Sequence, residues 1–313
     1  MAAHLFTDAQ RDSILAHNDA RRKALGEIPE YDAGRVGEAL AAVYRAHPVD
    51  DDLRAAFSRI TAIGAGNPLG LVEEATNCRL LRPGAPWGSV VYRTSYGDDA
   101  AWERMLARIG EVARTSLEDA FRPDLLALHQ LVVMDDRARF EDATPDLVRG
   151  HFRKWAVEEL GRHWREPPMP EDKVGEAGID DEVVSCAGTR YNFCLLVDDI
   201  CLESLDKMWS PVVKLVRRSW VPYGEEELDD LRGEEEEDDE DNPGWEGGVT
   251  NNEFEDVGWM YGYVTDYVSL QNRLHDEGNF ADDYMRPPLM QFLDGFHDAP
   301  GSWRRVEEPS DVQ

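Results

Sequence analysis

The chain has 313 residues and carries 33 Lys plus Arg against 64 Asp plus Glu, a formal charge of −31. A polyanion of this kind repels nucleic-acid backbone and anionic lipid and favours basic protein partners, so binding to nucleic acid or to a membrane surface is set aside. With 42% hydrophobic residues, 9 Trp, 10 Tyr and 10 Phe, there is ample material for a packed interior, in one elaborate domain or two smaller ones.

The N-terminal residues read as helices. Thr7-Asp8-Ala9-Gln10 has the form of a capping box, which predicts a helix to about Leu25. Val36, Leu40, Val43 and Tyr44 recur at helical spacing, and so do Leu53, Phe57 and Ile60 after Pro48. These are short amphipathic pieces that need a larger body to bury one face. Gly64 to Gly70 brushes against a dinucleotide-binding fingerprint. Leu69 stands where that fingerprint needs Gly, Pro68 intrudes and no strand precedes, so a turn is expected.

From Trp87 the pattern changes. Trp87–Tyr96 is rich in β-formers and predicts a strand. Trp102, Met105, Leu106, Ile109, Val112, Ala113 and Leu117 then form a helical stripe. A strand follows at Leu128–Met134. Thr144-Pro145-Asp146 predicts a helix start, with a capping hydroxyl, Pro in the first turn and an acid at the positive dipole end. The Pro-, Gly- and acid-rich residues 165–187 read as a mobile loop.

Beyond it, strands are predicted at Tyr191–Val197, Val212–Ser219, Val257–Val264 and Phe280–Arg286, with helices at Ile200–Met208 and Asp266–Leu274. The order β-α-β-β-α-β is that of a ferredoxin-like plait. The stretch 225–241 holds 13 acids and one Arg, so it carries −12 and the remainder −19. It reads as an unstructured loop inserted between the two halves of the plait.

The segments Trp87-Gly-Ser-Val-Val-Tyr-Arg93, Tyr96-Gly-Asp-Asp-Ala-Ala-Trp-Glu-Arg104, Arg190-Tyr-Asn-Phe-Cys194, Val197-Asp-Asp199 and Tyr284-Met-Arg-Pro-Pro288 resemble a family of uncharacterised proteins from filamentous fungi. The likeness covers roughly residues 85–290. It implies a fungal intracellular protein and carries over no catalytic residue.

Three strand-like runs end at or near acid pairs, Asp98-Asp99, Asp135-Asp136 and Asp198-Asp199. Such carboxylates could hold Mg²⁺ or Ca²⁺, but Asp also ends strands and caps helices, and capping is the simpler reading. No cofactor or metal site is assigned. The four cysteines have no zinc-ligand spacing and read as reduced thiols, Cys194 as a small core residue. Met1–Asp12 lacks an apolar leader and no apolar window is long enough to span a bilayer, so the cytoplasm, or the nucleus, is the expected compartment.

No catalytic motif appears, and no catalytic residue is assigned. Were the chain an enzyme, His129, His151, Arg93 and Tyr96 would be the place to look, His129 and His151 as acid or base. Trp259, Tyr261 and Tyr263 alternate onto one strand face, which suits core packing better than base stacking. The sharpest candidate for interaction is the run Glu234, Glu235, Glu236, Glu237, Asp238, Asp239, Glu240 and Asp241, which can hold a basic protein or serve only as a solvating spacer.

The expected architecture is α+β. A helical N-terminal extension (1–82) precedes a ferredoxin-like antiparallel sheet with packed helices (83–300). That body is interrupted by the mobile loop at 165–187 and a disordered acidic insertion at 224–250, and a flexible tail (301–313) follows. The expected role is a non-enzymatic protein-interaction or scaffold module, oligomeric state open. A small-molecule binder or enzyme with a pocket between sheet and helices is the alternative. A chaperone for basic proteins acting through the acidic loop is the third.

Overall fold

The computed structural model describes residues 7–28, 33–48, 69–76, 80–82, 84–120, 122–164, 174–175, 178–179, 181–232, 244–290 and 299–304. The protein is α+β, built on one open five-stranded mixed sheet.

Helices α1 (Asp8–Gly26) and α2 (Ala33–Ala46) pack on each other, and α3 (Gly70–Thr76) follows. The capping box forms as expected: Gln10 N donates to Thr7 Oγ1 and Thr7 N to Gln10 Oε1. α1 is tied to the body through Glu73, whose carboxylate meets both Arg21 and the buried Arg122. The helix expected around Leu53, Phe57 and Ile60 and the turn at Gly64–Pro68 lie outside the described residues.

Strand β1 (Val90–Arg93) leads through α4 (Asp99–Asp119) and a 3-10 turn (Pro123–Leu128) to β2 (Val132–Met134), which pairs parallel to β1. A short α5 (Arg137–Phe140) and the long α6 (Pro145–His163) follow. The segment read as a mobile loop instead contains a small hairpin, β3 (Val174–Gly175) with β4 (Gly178–Ile179), then α7 (Asp181–Ser185). Buried Val184 and Ala187 anchor that end of it. After α8 (Thr189–Asn192) comes β5 (Phe193–Val197), parallel to β1 on the side away from β2. Residues 87–160 therefore extend the sheet of the second half.

β5 continues through α9 (Asp199–Lys207) to β6 (Val212–Arg217), and β7 (Trp259–Tyr263) lies beyond β6, both pairings antiparallel. The order is β2-β1-β5-β6-β7. It differs from the expected plait in two ways. The sheet is mixed, because β1 and β2 join β5 in parallel. The expected last strand at Phe280–Arg286 is also absent: after α11 (Tyr267–Arg273), Asn279–Asp283 forms a short helix, α12. The chain then reaches Pro287-Pro288, joined by a cis bond, where two successive residues have no N–H for a ladder.

Two neighbours in β1 show how the sheet is covered. Tyr92 packs on Phe140 and bonds to His151 of α6, whereas Arg93 stacks on Trp102 of α4. Successive strand residues point to opposite faces, so α4 and α6 cover opposite faces of the sheet. β1 is buried along its whole length, which accounts for an uninterrupted Val-Val-Tyr rather than an alternating pattern. The α4 stripe is buried as the spacing predicts, with Leu106 at its margin.

The expected disordered insertion at 224–250 is partly ordered. Glu225–Arg232 forms a helix, α10, and residues 244–250 lead into a packed loop. In that loop Glu255 accepts from Val249 N, Thr250 N and Thr250 Oγ1 and pairs with buried Arg286. The tail also begins in order: Trp303 and Arg304 both bond to Glu203 of α9. Residues 305–313 lie outside the described part.

Candidate functional site

The carboxyl ends of β1, β2 and β5 share one edge of the sheet, and the three acid pairs follow them there. The structure assigns most of these carboxylates to local work. Asp98 accepts from Ala101 N and caps α4, and Asp198 accepts from Cys201 N and caps α9. Asp99 and Asp135 both face Arg93, which also donates to Ser95 O and stacks on Tyr96 at 4.5 Å. Burial, reinforced by Asp135, pushes the Tyr96 phenol up to about 12. Among the described residues no group of three or more His, Cys, Asp or Glu side chains is placed to hold a metal ion.

The residues singled out for possible catalysis do not converge. Arg93 and Tyr96 sit at that carboxyl edge. His151 bonds through Nδ1 to the Tyr92 hydroxyl at 2.8 Å on the face covered by α6, and burial, helped by Arg139, lowers its pKa. His129 lies at the other end of β2, in a bridge with Trp87, with Nε2 at 3.0 Å from the Tyr267 hydroxyl. Burial, with Arg190 nearby, lowers the His129 pKa to about 4, so the ring is neutral at pH 7. Around it, Gln271 donates to Ser89 Oγ and Arg190 to Gln130 O. These are the bonds of a structural core.

A cluster that sequence reasoning missed centres on Lys214 of β6. Its Nζ lies 2.8 Å from Asp198 Oδ2, 3.7 Å from Glu246 Oε2 and 4.3 Å from the Trp259 ring centroid. Tyr261, opposite Lys214 in the ladder, donates to Glu246 at 3.0 Å. Burial opposes the Asp198 charge, but Lys214 outweighs it and the Asp198 pKa falls. For Glu246 burial wins and the pKa rises. The Lys214 ammonium is itself favoured by Asp198 against its burial. One signal was available: a lone Lys inside the apolar run Val212-Val213-Lys214-Leu215-Val216 must find a counter-charge. Nothing local pointed to Glu246 as part of that counter-charge. Trp259, Tyr261 and Tyr263 are buried, but so is Met260 between them, so both faces of this strand are covered.

A cleft of about 570 Å³ lies between α4 and the turn from α9 into β6. Arg104, Ala107, Arg108 and Glu111 line one wall, at the i, i+3, i+4, i+7 spacing of a single helix face. Leu205, Met208, Trp209 and Pro211 form the other. Trp209 leans on Tyr263, with ring centroids 5.1 Å apart, and is still 56% exposed. Its guanidinium rim is held by exposed pairs, Arg104 with Asp206 and Arg108 with Glu111, which exchange partners at little cost. Sequence gave one hint of this cleft, a Trp in the turn between a helix and a strand. The acidic run Glu234–Asp241 lies outside the described residues.

These elements define an α+β protein with an open mixed sheet, a closed polar core at one end of its parallel strands and, near the other, a cleft with one charged and one apolar wall. No family model, curated protein or solved structure matches the chain. No helix among the described residues is long and apolar enough to cross a membrane.

Proposed function

We propose that the chain is a non-enzymatic protein-interaction or scaffold module of the cytoplasm or nucleus, and that a partner segment seats in the cleft beside Trp209. The observation that carries this reading is the cleft itself. An exposed Trp with Met208, Leu205 and Pro211 faces a helix wall across about 570 Å³, and Trp beside apolar neighbours is the usual composition of an interface anchor. The separation of His129, His151 and Arg93 supports the same reading, since the catalytic alternative drew on their meeting in one pocket. The resemblance to proteins of filamentous fungi makes such a fungus the host in which to look.

The test is a photo-crosslinking residue in place of Ala107, in the full chain, with and without Trp209→Ala. A discrete crosslinked partner that disappears with Trp209→Ala is expected. Crosslinking that ignores Trp209, or none at low and high salt, would overturn the assignment of the cleft.

A second reading, a small-molecule binder or enzyme, draws support from Lys214 between two carboxylates and a tyrosine, because perturbed groups gather at functional sites. It requires a ligand whose binding or turnover is lost in Lys214→Met while the fold survives.

A further inference from the structure

At the opposite end of β6 from the cleft, the surface has a different character. Strand β6 begins after Trp209 and Pro211 and ends at Arg217, so its six residues separate the two places by roughly 20 Å. Beyond Arg217 three large apolar side chains stand in solvent: Val221 at 70%, Val249 at 66% and Phe254 at 75% exposure. Their backbones are held in place. The Trp220 indole donates to Asp256 O, two residues past Phe254, and stacks under Arg149. Val249 and Thr250 donate to Glu255, and Phe254 N donates to Asn252 Oδ1. Asn252 Nδ2 in turn donates to Leu231 O, which ties the loop to α10. The exposure is therefore built into an ordered loop.

α10 stands beside this apolar ledge. Glu225, Glu226, Glu227, Asp229 and Asp230 are all exposed, and Arg232 is paired with Asp229. Glu253, next to Phe254, is exposed too. In sequence α10 runs directly toward Glu234–Asp241. A large exposed phenyl group is costly in water. The exposed acids of α10 and Glu253 make its surroundings negative on the α10 side, while exposed Arg153 holds the Trp220 carbonyl on the other, one residue from Val221. The two features call for one occupant, a segment with apolar side chains on one face and Lys or Arg on the other.

We propose that Val221, Val249 and Phe254, walled by α10, form a docking ledge for a basic amphipathic segment of a partner protein. This rests on reading the chain as a protein-interaction module, at a surface distinct from the cleft. Charge draws the segment in, and the apolar ledge selects it from other cations. Two surfaces at opposite ends of one strand let the protein hold two partners at once.

The probe is a fluorescent synthetic Lys/Leu amphipathic helix, compared with a Lys/Ser peptide of equal charge, titrated with the full chain and read by anisotropy. The ledge predicts tighter binding of Lys/Leu than of Lys/Ser. Val249→Ser with Phe254→Ser should weaken Lys/Leu about fivefold or more and leave Lys/Ser unchanged. Neutralising the five α10 acids to Gln or Asn should weaken both peptides and flatten the salt dependence. Trp209→Ala should change neither. All these side chains are exposed, so far-ultraviolet circular dichroism should report an unchanged fold. Equal binding of both peptides, indifference to Val249 and Phe254, or an effect confined to neutralising Glu234–Asp241 would leave a polyanion only and overturn the ledge. Crosslinking at Ala107 reads the cleft independently, so failure here and failure there are distinguishable.

Discussion

His129 illustrates how single residues in this protein work for structure before chemistry. Its ring packs on Trp87 at 4.7 Å and bonds to the Tyr267 hydroxyl, in a pocket that also faces Arg190. Burial and that charge hold its folded pKa at about 4, below the ordinary value of 6.5. The unfolded chain therefore binds the proton first as pH falls. Stability from this residue is complete above pH 6.5 and declines as pH drops toward 4, by roughly 3 kcal/mol in all. Urea unfolding at pH 7 and pH 5 should show the wild type losing more stability than His129→Gln. An equal loss in both proteins would mean that His129 titrates normally.

Helix caps explain the acid pairs at the scale of elements. Asp98 and Asp198 each accept an N–H from the first turn of the helix that follows, α4 and α9. Both stand where a parallel strand has just ended, the rhythm visible in the sequence. Asp98→Ala should cost about 1 kcal/mol, the ordinary worth of a cap, and Asp98→Asn much less. Asp198 has a second duty, because it neutralises the buried Lys214 at 2.8 Å. Asp198→Ala should therefore cost more than the cap alone, up to about 3–5 kcal/mol, since it leaves the buried Lys214 ammonium only Glu246 at 3.7 Å as a counter-charge. Denaturant titration separates the two, and equal costs would show that the Lys214 pair contributes nothing beyond the cap. The missing last strand follows from the same local rules. A strand was expected from Phe280, but Phe280 N and Ala281 N donate to Glu277 O and Gly278 O three residues back, and buried Arg286 is committed to Glu255, Thr250 O and Asn252 O.

For the whole molecule the dominant fact is charge. At −31 the folded chain repels itself, and compaction raises the density of like charges. Sodium chloride raised from about 0.02 M to about 0.5 M shortens the screening length severalfold and should raise the melting temperature by a few degrees. A flat or falling response would mean that attractive pairs, such as Arg122 with Glu73 and Asp124, outweigh the general repulsion. The docking ledge proposed at the α10 end draws on that same field.

Much of the framework was legible because its causes are local. The Thr7 capping box, the α4 stripe from Trp102 to Leu117, the Thr144-Pro145 helix start and the buried β5 run follow from spacing and propensity, which a short window of sequence contains. Strand order did not follow. β5 could pair with β1 or with β7, and that choice depends on which faces α4 and α6 cover, a contest among segments far apart in the chain. The same limit hid the candidate sites. Lys214 finds Glu246 with 31 residues between them in the chain, and Trp209 lines one cleft with a face of α4 about a hundred residues earlier. Local chemistry chose the helices, the caps and the charge of this protein. Its sheet order, its cleft and its exposed ledge exist only where distant segments meet, because pairing and burial are properties of the folded whole.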